Sequence, residues 1–238
     1  MVHSGNVSKL LNQEEINFLR IYLLCQKHAT DALRFIFDTH VPKSLLTSHL
    51  SKCSTFFWRK DEKIILFPVS GGQVKSTDFD SSLLYKLIRN TLNHKIAPPT
   101  SGWGTEPLPG DRSEADDIER IRCYRNKIAH NTEFKISNKQ FLKQWEDLSK
   151  AVNRLNQGAK RTEIESLKCT QFNGSQKNEI ECMKKNIFRM KDEIHELQNE
   201  LFSCQDEIKD IKDAVIDCRK DIEETNEKHI PHHIFKIR

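Results

Sequence analysis

From Ile180 to Ile222 the residues Ile180, Met183, Ile187, Met190, Ile194, Leu197, Leu201, Cys204, Ile208, Ile211, Val215, Cys218 and Ile222 alternate steps of three and four without a slip. A helix in a globular core needs no such regularity. A period of 3.5 kept over six heptads is the pattern that winds helices into a left-handed coiled coil, here ~65 Å long at 1.5 Å per residue. With Ile180 at position a, the a set is almost entirely β-branched, which favours a parallel dimer, while the mixed d set leaves a trimer open. Position g carries Glu179, Glu193, Glu200, Glu207 and Asp221, and position e carries Lys184, Lys191, Lys212 and Arg219. In a parallel homodimer Glu179 meets Lys184 of the other copy and Glu207 meets Lys212, with no like-charge clash. Each pair is worth only tenths of a kcal/mol, so the charges select orientation more than they supply stability. Asn and Gln at other e and g positions discriminate less and leave a heterotypic coil possible.

Such a coil needs something to join, and the residues before it read as an all-α helical bundle. The organisation expected is an N-terminal helix over 1–29, a bundle over 30–158, a polar connector over 159–178, the parallel coiled coil over 179–228 and a tail over 229–238. Asn12 with Glu15 makes a capping box ahead of Ile16, Leu19, Leu23 and Leu24. Thr30 is read as the cap of the next helix, which stops before Pro42. Residues 44–58 read as partly helical, and Ile64-Ile65-Leu66-Phe67 before Pro68 as a short extended segment. A helix from about Phe79 to Asn93 buries Leu83, Leu84, Leu87, Ile88 and Leu92. The long Pro- and Gly-rich loop from Lys95 to Arg112 follows, and loops of that length are functional or disordered more often than plain connectors. Trp103 within it suits either a base-stacking platform or, the preferred reading, an anchor pinning the loop to the helices. Ser137 and Gln140 box the last bundle helix, lined by Phe141, Trp145, Leu148, Val152 and Leu155 and ending near Gly158.

Between loop and last helix lies the stretch with chemical content, Tyr124-Arg125-Asn126-Lys127-Ile128-Ala129-His130. Its helix opens at Ser113 with Asp116 three residues on, and Ile118, Ile121, Tyr124 and Ile128 form the buried stripe. Arg125 falls at the edge of that stripe, whereas His130 lies roughly 140° further round. One straight helix therefore does not aim both side chains at one small ligand; a second copy packed against it does. Arginine supplies a permanently charged fork for a phosphate, and histidine, with an unperturbed pKa of about 6.5, removes or supplies a proton near neutral pH. Asn126 is placed to orient either. Lys127, Arg122 and Arg89 are the candidate RNA-binding cations around them. A plain cationic helix end accounts for the same spacing, and Arg89 to His94 repeats it one helix earlier.

Landmarks in order add to the spacing. Asp78-Phe79-Asp80-Ser81-Ser82-Leu83-Leu84, Leu87-Ile88-Arg89-Asn90, Pro98-Pro99, Gly102-Trp103-Gly104, Asp117-Ile118, Arg120-Ile121-Arg122, Tyr124-Arg125-Asn126 to His130, then Phe141, Trp145 and Leu148 together resemble the HEPN domain of the DAZ-interacting zinc-finger protein type. The resemblance spans about residues 30 to 156. It implies a small helical bundle that often dimerises. It also implies a candidate metal-independent endoribonuclease whose Arg-x4-6-His motif maps onto Arg125 and His130, with Asn126 as the polar residue after the arginine. Other HEPN domains bind nucleic acid or scaffold without chemistry, so the alternative is a non-catalytic RNA-binding or signalling scaffold that oligomerises through its coil.

Charge and cysteine usage set the remaining expectations. Residues 1–158 hold 23 Lys and Arg against 17 Asp and Glu, net +6, while 159–238 are net −2, which places any affinity for RNA in the bundle. Seven cysteines with no Cys-x-x-Cys point to reduced thiols inside the cell, hence a cytoplasmic location. No apolar run approaches the ~20 residues of a membrane span. No cofactor-binding loop or zinc ligand set is recognised, and no RING-like array that would carry ligase chemistry. His229, His232 and His233 form too short a set to hold a metal, so no metal is expected. The partners expected are RNA, a second copy through coil and bundle, and proteins of a signalling or defence complex.

Overall fold

A computed structural model of the chain describes residues 11–69 and 71–172, together with Lys185, Ile211, Lys212, Val215, Ile216, Cys218 and Arg219. The chain divides into two compact units, Met1–Lys184 and Lys185–Arg238. Among the described residues there are helices, turns and loops but no strand.

The first unit is built on long amphipathic helices whose starts are set locally. Asn12 and Glu15 form the reciprocal capping box that opens α1, Gln13–Leu23. The chain does not break after α1. It continues through a π-helical segment, Leu24–Ala29, directly into α2, Thr30–His40. Thr30 is thus not a cap: its Oγ1 donates back to the Cys25 carbonyl. Such a π segment carries an extra residue per turn and shifts the buried face by one position, which turns Cys25, His28 and Ala29 inward together.

A single 3-10 turn, Lys43–Leu45, leads to α3, Leu46–Lys52. Trp58 then closes the α3–α4 connection, its Nε1 donating to the Cys53 carbonyl at 2.8 Å while its ring is 2% exposed. The run expected as an extended segment is helical. Lys60–Leu66 forms α4, with Ile64 and Ile65 exposed and Leu66 buried, because its first turn accepts Arg59 N–H on Glu62. Asp80 caps α5, Ser81–Thr91, by accepting Leu83 N–H at 2.7 Å.

Three further helices follow among the described residues. Ser113 opens α6, Glu114–Ala129, and Ser137 opens α7, Asn138–Leu155, each through the expected capping box. Gly158, at φ +77, takes the left-handed conformation after α7 and donates to the Asn153 carbonyl, ending the helix. Residues within the expected polar connector then form α8, Arg161–Cys169, seated by the fully buried Ile164.

The core lies where α6 packs along α7, α1 crosses both, and α2 packs against α5 and α7. Ile21, Leu33, Phe37, Leu84, Leu87, Ile118, Trp145, Leu148 and Val152 are its buried centre. The expected heptads lie almost wholly outside the described residues. Of those that are described, Ile211, Val215 and Cys218 are helical and exposed within the single chain.

Candidate functional site

The geometry around the Arg-x4-His stretch begins with the loop that precedes α6. Asp116 accepts Thr100 N–H at 2.7 Å, Thr100 Oγ1 at 3.0 Å and Ser113 N–H at 2.9 Å. Burial pushes its carboxyl upward, but these donors prevail and hold it below the ordinary carboxylate value. Arg120, 3% exposed, donates to Asp117, to the carbonyls of Leu108 and Asp111, and pairs with Asp147 at 3.1 Å. Arg154 of α7 reaches the same Asp117 through Nε at 2.7 Å and Nη2 at 2.6 Å. The long loop is therefore strapped down from both ends. Trp103 meets Tyr85 of α5 edge to face at 5.9 Å, which is the anchoring role expected of it.

These straps engage two of the cations expected to meet RNA. Arg122 pairs with the buried Glu119, donates to the Gly104 carbonyl at 2.9 Å and lies over the Tyr85 ring. Glu119 also accepts the Tyr85 hydroxyl at 2.8 Å. Lys127 reaches Glu106 of the loop at 2.5 Å and covers the Tyr124 ring. Arg89 is exposed and has no hydrogen bond or ion pair among the described residues.

The other three candidates differ from their neighbours on α6. The side chains of Arg125, Asn126 and His130 make no hydrogen bond or ion pair among the described residues. Arg125 is half-buried, and burial pulls its pKa below the ordinary value, with Asp80 and Cys25 acting against that and Arg59 adding to it. The guanidinium remains charged. It faces inward toward the π segment, where the Cys25 thiol, fully buried, is pushed up to about 12 and stays a neutral thiol. Asp80, Arg59 and Cys25 were not among the residues expected near the motif. Only Asp80 carried a local signal, as a helix cap.

His130 is the C-cap of α6, its N–H donating to the Asn126 carbonyl at 3.0 Å, and the residue is exposed. Its backbone is well fixed. Asn131 accepts Phe134 N–H, the Phe134 ring stands edge-on to Phe18 at 5.4 Å, and Asn17 of α1 donates to Ile136 and Asn138. Arg125 is half-buried on α6 whereas His130 is exposed at its C-cap, so the two side chains of the motif stand in different settings.

Among the described residues no three His, Cys, Asp or Glu side chains gather as a metal-ligand set, and no helix is long and apolar enough to cross a membrane. The tail histidines lie outside the described residues. No curated protein and no solved structure matches the chain. The DZIP3/hRUL138-like HEPN family matches residues 41–180, more than half of the sequence and all of α3 to α8. The order of landmarks, the all-helical unit and this match agree, and the chain belongs to the DZIP3/hRUL138-like HEPN family.

Proposed function

We propose that this protein acts on RNA as a metal-independent endoribonuclease, with a composite site built when the coiled coil over 179–228 brings two bundles together. The observation that carries the reading is Arg125. A half-buried guanidinium with no hydrogen bond or ion pair among the described residues is partly desolvated and has only the attraction of Asp80 and Cys25 to offset that, which favours an anion that completes it. Arg120 and Arg122 on the same helix are fully engaged, so among the arginines of α6 Arg125 alone lacks such partners among the described residues.

In the composite site each Arg125 holds a non-bridging phosphate oxygen and offsets charge growing on phosphorus. Neutral His130 takes the proton from the ribose 2′-hydroxyl, whose oxygen attacks phosphorus. The protonated His130 of the second copy gives its proton to the departing 5′-oxygen, and Asn126 orients the rings or the phosphate. The products are a 2′,3′-cyclic phosphate and a 5′-hydroxyl. Arg89 adds a free cation for the strand, whereas Arg122 and Lys127 contribute only by exchanging Glu119 and Glu106 for phosphates.

A second reading has its own observation. His130 is exposed whereas Arg125 is half-buried, so a chain that never pairs through α6 is an RNA-binding scaffold without turnover. The test is incubation of the full-length protein, Arg125→Ala and His130→Ala with labelled single-stranded RNA in EDTA, with light scattering on the same samples. Cleavage by the wild type alone, at equal dimer content, supports the composite nuclease. Loss of cleavage in EDTA, or retention by either variant, overturns it. RNA retention without cleavage by a well-folded dimer selects the scaffold.

A further inference from the structure

The exposed apolar surface of the first unit is concentrated in one segment, the α3–α4 connection together with α4. Phe56, Phe57, Ile64, Ile65 and Val69 are all exposed there, Phe57 over 86% of its surface and Ile64 over 65%. Phe35, Leu45, Leu108 and Leu142, the other large apolar side chains exposed among the described residues of this unit, lie singly on α2, the turn before α3, the long loop and α7. Single exposed apolar side chains are ordinary, whereas several in one place mark a surface that something covers.

The segment is held from behind. Trp58 is buried with its Nε1 on the Cys53 carbonyl, and Phe56 N–H donates to the same carbonyl at 3.1 Å. The turn that presents the two phenylalanines is therefore fixed at its base. Glu62 and Leu66 form the buried side of α4. Glu62 accepts Lys86 Nζ at 2.6 Å, and the same ammonium stands 5.1 Å from the centre of the Trp58 ring and 5.8 Å from that of Phe57. Ile64 lies roughly 200° round the helix from Glu62, on the side away from these contacts.

The charges on the segment point to its partner. Lys60 and Lys63 on α4, and Lys52 at the end of α3, are exposed and make no ion pair among the described residues. Asp61, also exposed, is already engaged by Arg59 at 3.2 Å. Lysine is depleted in protein–protein interfaces, so unpaired lysines beside the apolar side chains fit a protein partner poorly. Ile64 and Ile65 have no ring face on which a base stacks, so an RNA strand would leave them uncovered. An anionic bilayer surface suits both kinds of side chain. Aromatic and aliphatic groups enter the boundary between headgroups and acyl chains, and lysines lay their stems on apolar surface while raising their ammonium groups to phosphates. No described helix is long and apolar enough to cross a membrane, and contact of this kind needs none.

We propose that the α3–α4 connection and α4 dock this protein on an anionic lipid surface, with Phe57 at the acyl boundary and Lys60 and Lys63 at the headgroup phosphates. Each cation near such a surface strengthens binding about fivefold. Lasting attachment takes more than one signal, so losing either the aromatic or the cations should release the protein.

The experiment is co-sedimentation of the full-length protein with vesicles of phosphatidylcholine alone and of phosphatidylcholine mixed with phosphatidylserine, at low and high salt. Binding to the mixed vesicles, weakened by salt and absent from phosphatidylcholine alone, is expected. Phe57→Ser should weaken it about tenfold, and Lys60→Glu with Lys63→Glu by at least as much. Phe57→Trp should retain it. Leu142→Ser, at an exposed leucine on α7, should leave it unchanged, and so should Arg125→Ala, which separates this surface from the nuclease proposal. No binding to either vesicle, equal binding to both, or undiminished binding in Phe57→Ser would overturn the proposal. Loss of RNA retention in Phe57→Ser with vesicle binding intact would give the surface to a strand instead. Loss of dimer content in light scattering, again with vesicle binding intact, would give it to a second copy.

Discussion

Three arginines lie within six residues of α6, and their surroundings predict opposite responses to the same change. Arg120→Met leaves Asp117 with Arg154 alone and strands the Leu108 and Asp111 carbonyls, so it should lower unfolding free energy by about 3 kcal/mol in urea titration. Arg125→Met removes a half-buried charge that has no hydrogen bond or ion pair among the described residues and only the attraction of Asp80 and Cys25, and should be neutral or stabilising, by up to about 1 kcal/mol, while RNA cleavage is lost. Stability set aside for function has that signature, and destabilisation by Arg125→Met comparable to that of Arg120→Met would make Arg125 structural. Histidines give a second residue-scale test. Burial is the main cause that lowers the pKa of both His28 and His49 from 6.5; Lys95, His94 and Lys52 add to it for His49, and Lys27 and Lys160 for His28. A depressed histidine takes up its proton in the unfolded chain first, so its stabilisation is full above pH 6.5 and declines as pH falls below it. Unfolding free energy should therefore drop between pH 6.5 and 5, and His49→Gln, which can keep the contact to Thr91 Oγ1, should flatten that slope.

At the scale of elements, the straps on the 95–112 loop explain both the family landmarks and the limits of sequence reasoning. Asp116→Ala deletes three hydrogen bonds to Thr100 and Ser113. It should cost about 1–3 kcal/mol and raise hydrogen exchange at the 100–112 amides more than in α7; uniform exchange across the unit would mean the strap is not local. Helix starts were legible because capping is a short-range affair: Asn12 with Glu15, Ser113 with Asp116 and Ser137 with Gln140 all form the bonds their spacing predicts. What failed was decided by distant partners or by unusual helix geometry. Ile64 to Phe67 looked extended because a helix as short as α4 shows no full period, and Thr30 looked like a cap because a π segment leaves no mark that a 3.6-residue period can reveal. The ion pairs of Arg122 and Lys127 went unread: Glu119 is only three residues before Arg122, but Glu106 is 21 residues from Lys127 and arrives only when the loop folds over α6.

For the molecule as a whole, chemistry in the proposed mechanism depends on a residue pattern that begins some fifty residues further along the sequence. Ile211 and Val215 fall at successive d and a positions of the heptad pattern, and each exposes more than half of its surface in the single chain. Apolar side chains repeated on one helical face are covered by a second helix in a coil. Ile211→Lys with Val215→Lys places four extra cations in two neighbouring layers of a homodimer, beside Lys212 and Arg219. The paired form should then fall apart to a monomer in sedimentation equilibrium, while the bundle, whose core lies in the other unit, keeps its urea midpoint. Tethering raises the local concentration of one bundle about the other and is worth ~10²–10⁴ in apparent association. RNA cleavage at nanomolar protein should fall by a comparable factor and recover as protein concentration is raised, because Arg125 and His130 are intact and only their meeting has become bimolecular. A double variant that stays dimeric removes the coil from the account. A true monomer that cleaves at the wild-type rate removes the composite site and requires Arg125 and His130 to act within one chain.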